Sequence, residues 1–182
     1  MSLSRGSAAR LTALAAAMLL LAAASDGVAQ MPLGAGAPAW LAYAPVRAAA
    51  VFPGGIPDTI VELDHDTVED SAAREIELGW RGMLRHEPRV VSSREGEFKE
   101  GVVVGTQAEI AAWNPRSRQE QPLAPDAYRL YRDGGVLVVE GGDARGVLYG
   151  AFALLRLIGE EHSLATLDES SAPWAAVRWT NE

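Results

Sequence analysis

Three histidines, twenty-four carboxylates and no cysteine delimit the chemistry open to this chain of 182 residues. Without cysteine there is no disulfide, no thiolate metal site and no sulfur nucleophile. The densest group of candidate ligands is Glu62, Asp64, His65 and Asp66, whose carboxylates and imidazole could together hold a divalent cation. A solvated loop ahead of a helix has the same composition, since acids there complement the helix dipole. His86, at a helix end, and His162, beside Glu160 and Glu161, read as surface groups. No H-E-x-x-H spacing occurs, and the three histidines are far apart.

The stretch Gly141-Gly142-Asp143-Ala144-Arg145-Gly146 falls between a strand and a helix, where phosphate-binding loops are found. It matches neither G-x-G-x-x-G nor G-x-x-x-x-G-K-[ST], and Asp143 would put a carboxylate where a phosphate binds. A helix-capping role accounts for Asp143 better. Gly146 and Gly150, four apart on one helix face, allow that helix to pack closely on a sheet. No G-x-S-x-G elbow is present for a serine hydrolase. A glycosidase needs two carboxylates at a set separation across a cleft; acids are plentiful here, but no pair is marked by spacing. No catalytic, cofactor-binding or metal residue is assigned, and no cofactor is expected.

The elements that would position these groups follow from periodicity. Arg5 and Arg10 precede the apolar run Leu11 to Ala24, and Gly27-Val28-Ala29 supplies small residues for cleavage near Ala29 or Gln30. That order is the order of a secretory signal peptide over residues 1–29, since crossing a bilayer takes about 20 apolar residues. The remaining chain carries 14 basic and 23 acidic residues, a formal charge of -9. Such an acidic chain is expected to bind neither nucleic acid nor, after cleavage, membrane. It is expected to be exported, to the periplasm or the outside.

Residues 30–39 are Gly, Ala and Pro rich and read as a flexible lead-in. Candidate strands are Trp40 to Ala44, Thr59 to Leu63, Arg89 to Ser93 and the uninterrupted apolar Gly101 to Gly105. Thr67 and Asp70 have nearly the capping-box spacing, and Ala72, Ile76, Trp80 and Met83 or Leu84 then form one helical stripe ending around His86. Gln107 to Trp113 forms one or two helical turns. Tyr128 to Arg132 and Val136 to Glu140 flank Asp133-Gly134-Gly135 and read as a hairpin. Asp143 caps a helix running to about Ile158, after which the chain is polar until Ala172-Pro173, with strand character returning over Trp174 to Trp179. The simplest layered solution is α+β: a mixed or antiparallel sheet with two main helices packed on one face.

The helix sequence GGDARGVLYGAFALLRLI, residues 141–158, resembles a G-x-x-x-R-G-x-x-Y-G-x-x-x-L-L motif. That motif belongs to the accessory domain preceding the catalytic barrel in β-hexosaminidases and in the α-glucuronidases of glycoside hydrolase family 67. Ser171-Ala172-Pro173 and Arg178-Trp179-Thr180-Asn181-Glu182 resemble the family 67 passage into the barrel, and the Pro-Arg-Phe and Arg-Gly pattern usual in hexosaminidases is missing. The strand Val102 to Thr106 and the helix after Thr67 also fall where that domain would place them. The likeness covers roughly residues 40 to 182, with residues 40–172 as the accessory domain and 173–182 as the start of a barrel.

The resemblance implies a place in xylan breakdown, where family 67 enzymes remove 4-O-methylglucuronic acid from xylo-oligosaccharides with inversion. In that family the acid and base carboxylates lie on the barrel, which takes about 250 residues; nine residues follow Pro173 here. No catalytic residue therefore carries over, and the chain reads as a truncated product or an N-terminal domain taken by itself. Its expected partner is a barrel C-terminal to Glu182. Two rivals stand beside this reading: a stand-alone module binding xylo-oligosaccharides on Trp40, Trp113 and Trp174, and the accessory domain of a β-hexosaminidase.

Overall fold

The computed structural model describes residues 42–92, 98–115 and 121–174. The leader, the lead-in, Trp40 and the strand expected at Trp174 to Trp179, beyond Trp174 itself, lie outside the described residues. In chain order the elements are α1 (Ala48–Val51), β1 (Thr59–Glu62), α2 (Thr67–Gly79), β2 (Arg89–Ser92), β3 (Gly101–Thr106), α3 (Gln107–Trp113), β4 (Tyr128–Asp133), β5 (Val136–Gly141), α4 (Ala144–Gly159) and β6 (Asp168–Ser171).

The six strands form one mixed sheet in the order β2-β1-β3-β5-β4-β6. β1 runs parallel to β2 and β3, and β3 runs parallel to β5. The hairpin then reverses direction, so β4 is antiparallel to both β5 and β6. Gly134, at φ +59, supplies the left-handed turn residue that the Asp-Gly-Gly sequence predicts.

Alternation along the strands divides the interior. Ile60, Val102, Val104, Leu130, Leu137 and Val139 face α2 and α4, joining Ala72, Ile76, Trp80, Leu154, Leu155 and Ile158 in the main core. Val61, Val103, Tyr131 and Val138 face the other way, where Ile110 of α3 covers them. Both faces of β3 are thus covered, which is why its sequence is an unbroken apolar run. The two main helices lie on one face, as expected, and the short α3 covers part of the other.

Four local expectations shift. Ala42 to Ala44 is no strand: the Tyr43 hydroxyl donates to Glu75 of α2, and the Val46 N–H donates to the Met83 carbonyl at 2.9 Å, so this segment bonds to the helix instead of to the sheet. The N-cap of α2 is Asp66, whose carboxylate accepts from the Val68 N–H at 2.8 Å, one residue before the expected Thr67. The helix widens into a π turn over Trp80–Leu84 and stops at Arg85, held left-handed at φ 54, one residue short of His86. Finally, the polar run Asp168–Ser171 is a strand. Its register is imposed by β4, from Tyr128 opposite Ser171 to Tyr131 opposite Asp168, and not by its own composition.

Candidate functional site

Adjacent parallel strands whose chains leave in opposite directions open a crevice at their C-terminal ends, where ligands bind in open α/β sheets. β1 and β3 form that switch point: β1 leaves through α2 to β2 on one side, while β3 leaves through α3 towards β4 on the other. The first turns of both helices and the ends of both strands converge there. They bring Glu62, Asp64, His65, Asp66, Glu69, Asp70 and Glu109 into one region.

Glu62 closes β1 and is buried, 5% exposed. One of its carboxylate oxygens accepts from the Ser92 hydroxyl at 3.2 Å, and the Glu62 carboxyl also hydrogen-bonds with the Asp70 carboxyl. Burial first, and then the Asp70 carboxylate beside it, pushes the Glu62 carboxyl up to about 7. His65 Nδ1 lies 3.9 Å from Asp70 Oδ1. Together Glu62, His65 and Asp70 offer three donor atoms, all within 4.8 Å of one another.

Glu69 lies deeper still, at 1% exposure, with its Oε2 unpartnered. Burial, followed by the charges of Glu109, Asp64, Asp66 and Glu62, pushes its carboxyl up to about 8. Glu109 belongs to a capping box at the start of α3, accepting from the Thr106 N–H at 2.7 Å. A shallow pocket of about 240 Å³ opens beside it, lined by Leu63, Thr106, Ala108, Glu109, Ala112 and Trp113.

Of the four residues singled out by the sequence, Glu62 and His65 enter the cluster, while Asp66 is spent on the helix cap. Asp70 and Glu69 were not among them. Glu69 had a signal: positions 69, 72, 73 and 76 fall on one helical stripe, so the apolar face of α2 extends onto an acid.

The remaining candidates take structural roles. Asp143 caps α4, accepting from the Gly146 N–H at 2.8 Å and the Asp126 N–H at 3.2 Å, so its carboxylate occupies the position a phosphate would need. A Cβ on Gly146 would sit 2.2 Å from the Ala127 carbonyl oxygen, and one on Gly150 would sit 3.0 Å from Val139, which is the close packing their spacing predicts. His86 Nε2 lies 2.6 Å from Asp58 Oδ1, and His162 Nε2 lies 3.5 Å from Glu160 Oε2. Trp113 is half-buried against Phe98, and Trp174 is exposed. Because Glu62 is buried, the Glu62 and Asp70 carboxylates do not form a pair that a glycosidic bond can enter.

The fold is a mixed sheet with the capped α4 motif packed on one face. The family described as Glycosyl hydrolase family 67 N-terminus matches residues 39–154, and the chain belongs to it. Among its relatives, the alpha-glucuronidase of Hypocrea jecorina is 32% identical over 172 residues, 91% of this chain and 20% of that protein. Alpha-glucuronidase A of Emericella nidulans is 28% identical over 172 residues, 93% of this chain and 19% of that one. The probable alpha-glucuronidase A of Aspergillus terreus is 28% identical over 145 residues, 79% of this chain and 17% of that one. The chain thus spans about a fifth of the length of these relatives. Among solved structures, a family GH115 4-O-methyl-alpha-glucuronidase, BtGH115A, shares the fold with a TM-score of 0.51 at 18% identity, over 64% of this chain and 17% of that one.

Proposed function

We propose that this chain is the non-catalytic N-terminal domain of an exported α-glucuronidase acting in glucuronoxylan breakdown, and that it is inactive without a barrel joined after Glu182. The observation that carries this reading is the family match over residues 39–154 in relatives of which the chain spans about a fifth. In the crevice Glu62 and Glu69 are buried and Asp66 and Glu109 are engaged in capping, which supports placing the chemistry elsewhere. The basic, apolar, small-residue order of residues 1–29 supports export.

The test is release of 4-O-methylglucuronic acid from decorated xylo-oligosaccharides, by the chain alone and by the product of the reading frame extended beyond Glu182. Activity confined to the extended product agrees with the proposal. Turnover by the chain alone overturns it. Trp113, one of the platforms of the rival sugar-binding module, is half-buried against Phe98 and lines the pocket beside Glu109.

A further inference from the structure

We infer that the cavity at the N-terminal end of the parallel strands, beside Arg132, binds a small hydroxy-monocarboxylate of the sugar-acid type. The site lies at the opposite end of the strands from the acidic crevice and does not depend on the accessory role. Its volume is about 450 Å³, within the range of small-ligand pockets. The loop 52–57 ahead of β1, the start of β3, the end of β4 and the turn at Gly134 and Gly135 line it.

Arg132 is the group that points to a ligand. Its Nε donates to the Leu164 carbonyl at 2.9 Å and its Nη1 to the Gly135 carbonyl at 3.2 Å, while the guanidinium carbon stands 6.0 Å from the centre of the Phe52 ring. Phe52 is itself held in the core, 3% exposed and tilted against Trp80. The fork is therefore fixed in place before any ligand arrives, and its Nη2 donates to none of the described residues. Nor does any carboxylate among the described residues pair with it, so burial alone lowers its pKa. A partly desolvated guanidinium without a counter-charge is costly, and a carboxylate matches its planar fork.

The walls select among anions. Glu100 also lines the cavity, so Arg132 and Glu100 together give it no net charge, which suits a single negative charge better than a phosphate dianion. The Glu100 carboxylate and the backbone carbonyls of the walls are acceptors for hydroxyl protons. Glycine leaves room for the ligand: a Cβ built on Gly54, Gly55 or Gly134 would meet nothing within 4 Å. The turn that holds Nη1 is fixed, since a Cβ on Gly135 would sit 2.3 Å from the Lys99 carbonyl oxygen.

The experiment titrates D-gluconate and D-glucuronate into the full chain by calorimetry, with xylose and inorganic phosphate as comparison probes. The expected result is saturable binding of at least one of the two acids, and no saturation by xylose or phosphate. Arg132→Gln should weaken binding by at least about tenfold, the usual worth of a charge-assisted hydrogen bond. Gly54→Asp adds a carboxylate on the rim where the fold has space; it should do the same, and it decides the matter if Arg132→Gln does not fold. No saturable binding of either acid overturns the proposal. So does binding unchanged in Gly54→Asp, and so does xylose or phosphate binding as tightly as the acids.

Discussion

Glu69 shows how a single buried acid makes stability depend on pH. Its carboxyl ionises near 4.5 when exposed and is pushed up to about 8 in the fold, so the folded state holds a proton that the unfolded state has lost between those values. The stabilisation is complete below about pH 4.5 and is lost as pH rises through about 8, with a slope of up to about 1.4 kcal/mol per pH unit. Glu69→Gln should therefore gain stability over the parent chain at pH 8 and converge with it near pH 4, in thermal melts with chelator present. A parent and variant that keep a constant Tm difference across that range would refute the assignment. The Arg129 and Glu140 pair behaves differently: the two face each other across β4 and β5 at 3.2 Å, both nearly fully buried. Glu140→Ala leaves a buried guanidinium without this carboxylate and should cost about 3 to 5 kcal/mol in denaturant unfolding. At this scale the sequence reveals types and not roles. Asp66 and Asp70 look alike on the page, and only the start of the helix decides that one caps and the other faces Glu62.

Elements built from neighbouring residues were legible: the hairpin at Gly134, the capped α4 and the short α3. Each is specified by residues a few positions apart. What the sequence could not convey is pairing between distant segments. β6 has no apolar alternation, and its strand character comes from the edge that β4 presents to it. Over its described part, Ala42 to Ala44, the expected first strand failed for the converse reason, because this segment bonds to α2 and the residues beside it to the turn after α2. α4 offers a graded test of element packing. Gly146→Ala drives a Cβ to 2.2 Å from a backbone carbonyl that cannot swing away, whereas Gly150→Ala meets side chains at 3.0 and 3.2 Å that can adjust. The first should destabilise by about 2 to 3 kcal/mol and the second by about 1 kcal/mol or less, judged by the usual cost of overpacking. Equal costs at the two positions would contradict the close approach of residues 124–127 to the start of α4.

At the scale of the whole molecule the sheet is divided in two, a parallel half ending in the acidic crevice and an antiparallel half closed by α4. Tryptophans are distributed unevenly over it: Trp80 is fully buried, its indole N–H donating to the Pro57 carbonyl at 3.2 Å, and Trp113 packs on Phe98. Trp174 is exposed, so the accessory-domain proposal makes its own prediction: titrating xylo-oligosaccharides should leave the tryptophan fluorescence of the isolated chain flat, while saturable quenching would revive the sugar-binding reading. The family was visible in one eighteen-residue motif because that motif combines a cap, two contact glycines and a buried stripe in a fixed order. The crevice was only half visible, since its members come from a strand, a loop and two helices, and sequence proximity joins just Glu62, Asp64, His65 and Asp66.

The two outer strands carry a further consequence. β2 and β6 are four residues each, and β6 reads Asp168-Glu169-Ser170-Ser171 with most of its residues exposed. Short borders of charge and hydroxyl are poor templates for an incoming β-strand. A domain whose interior is a run of Val-Val-Val thus carries its own guard against cross-β stacking, and Ser170→Val would be the change that lowers it.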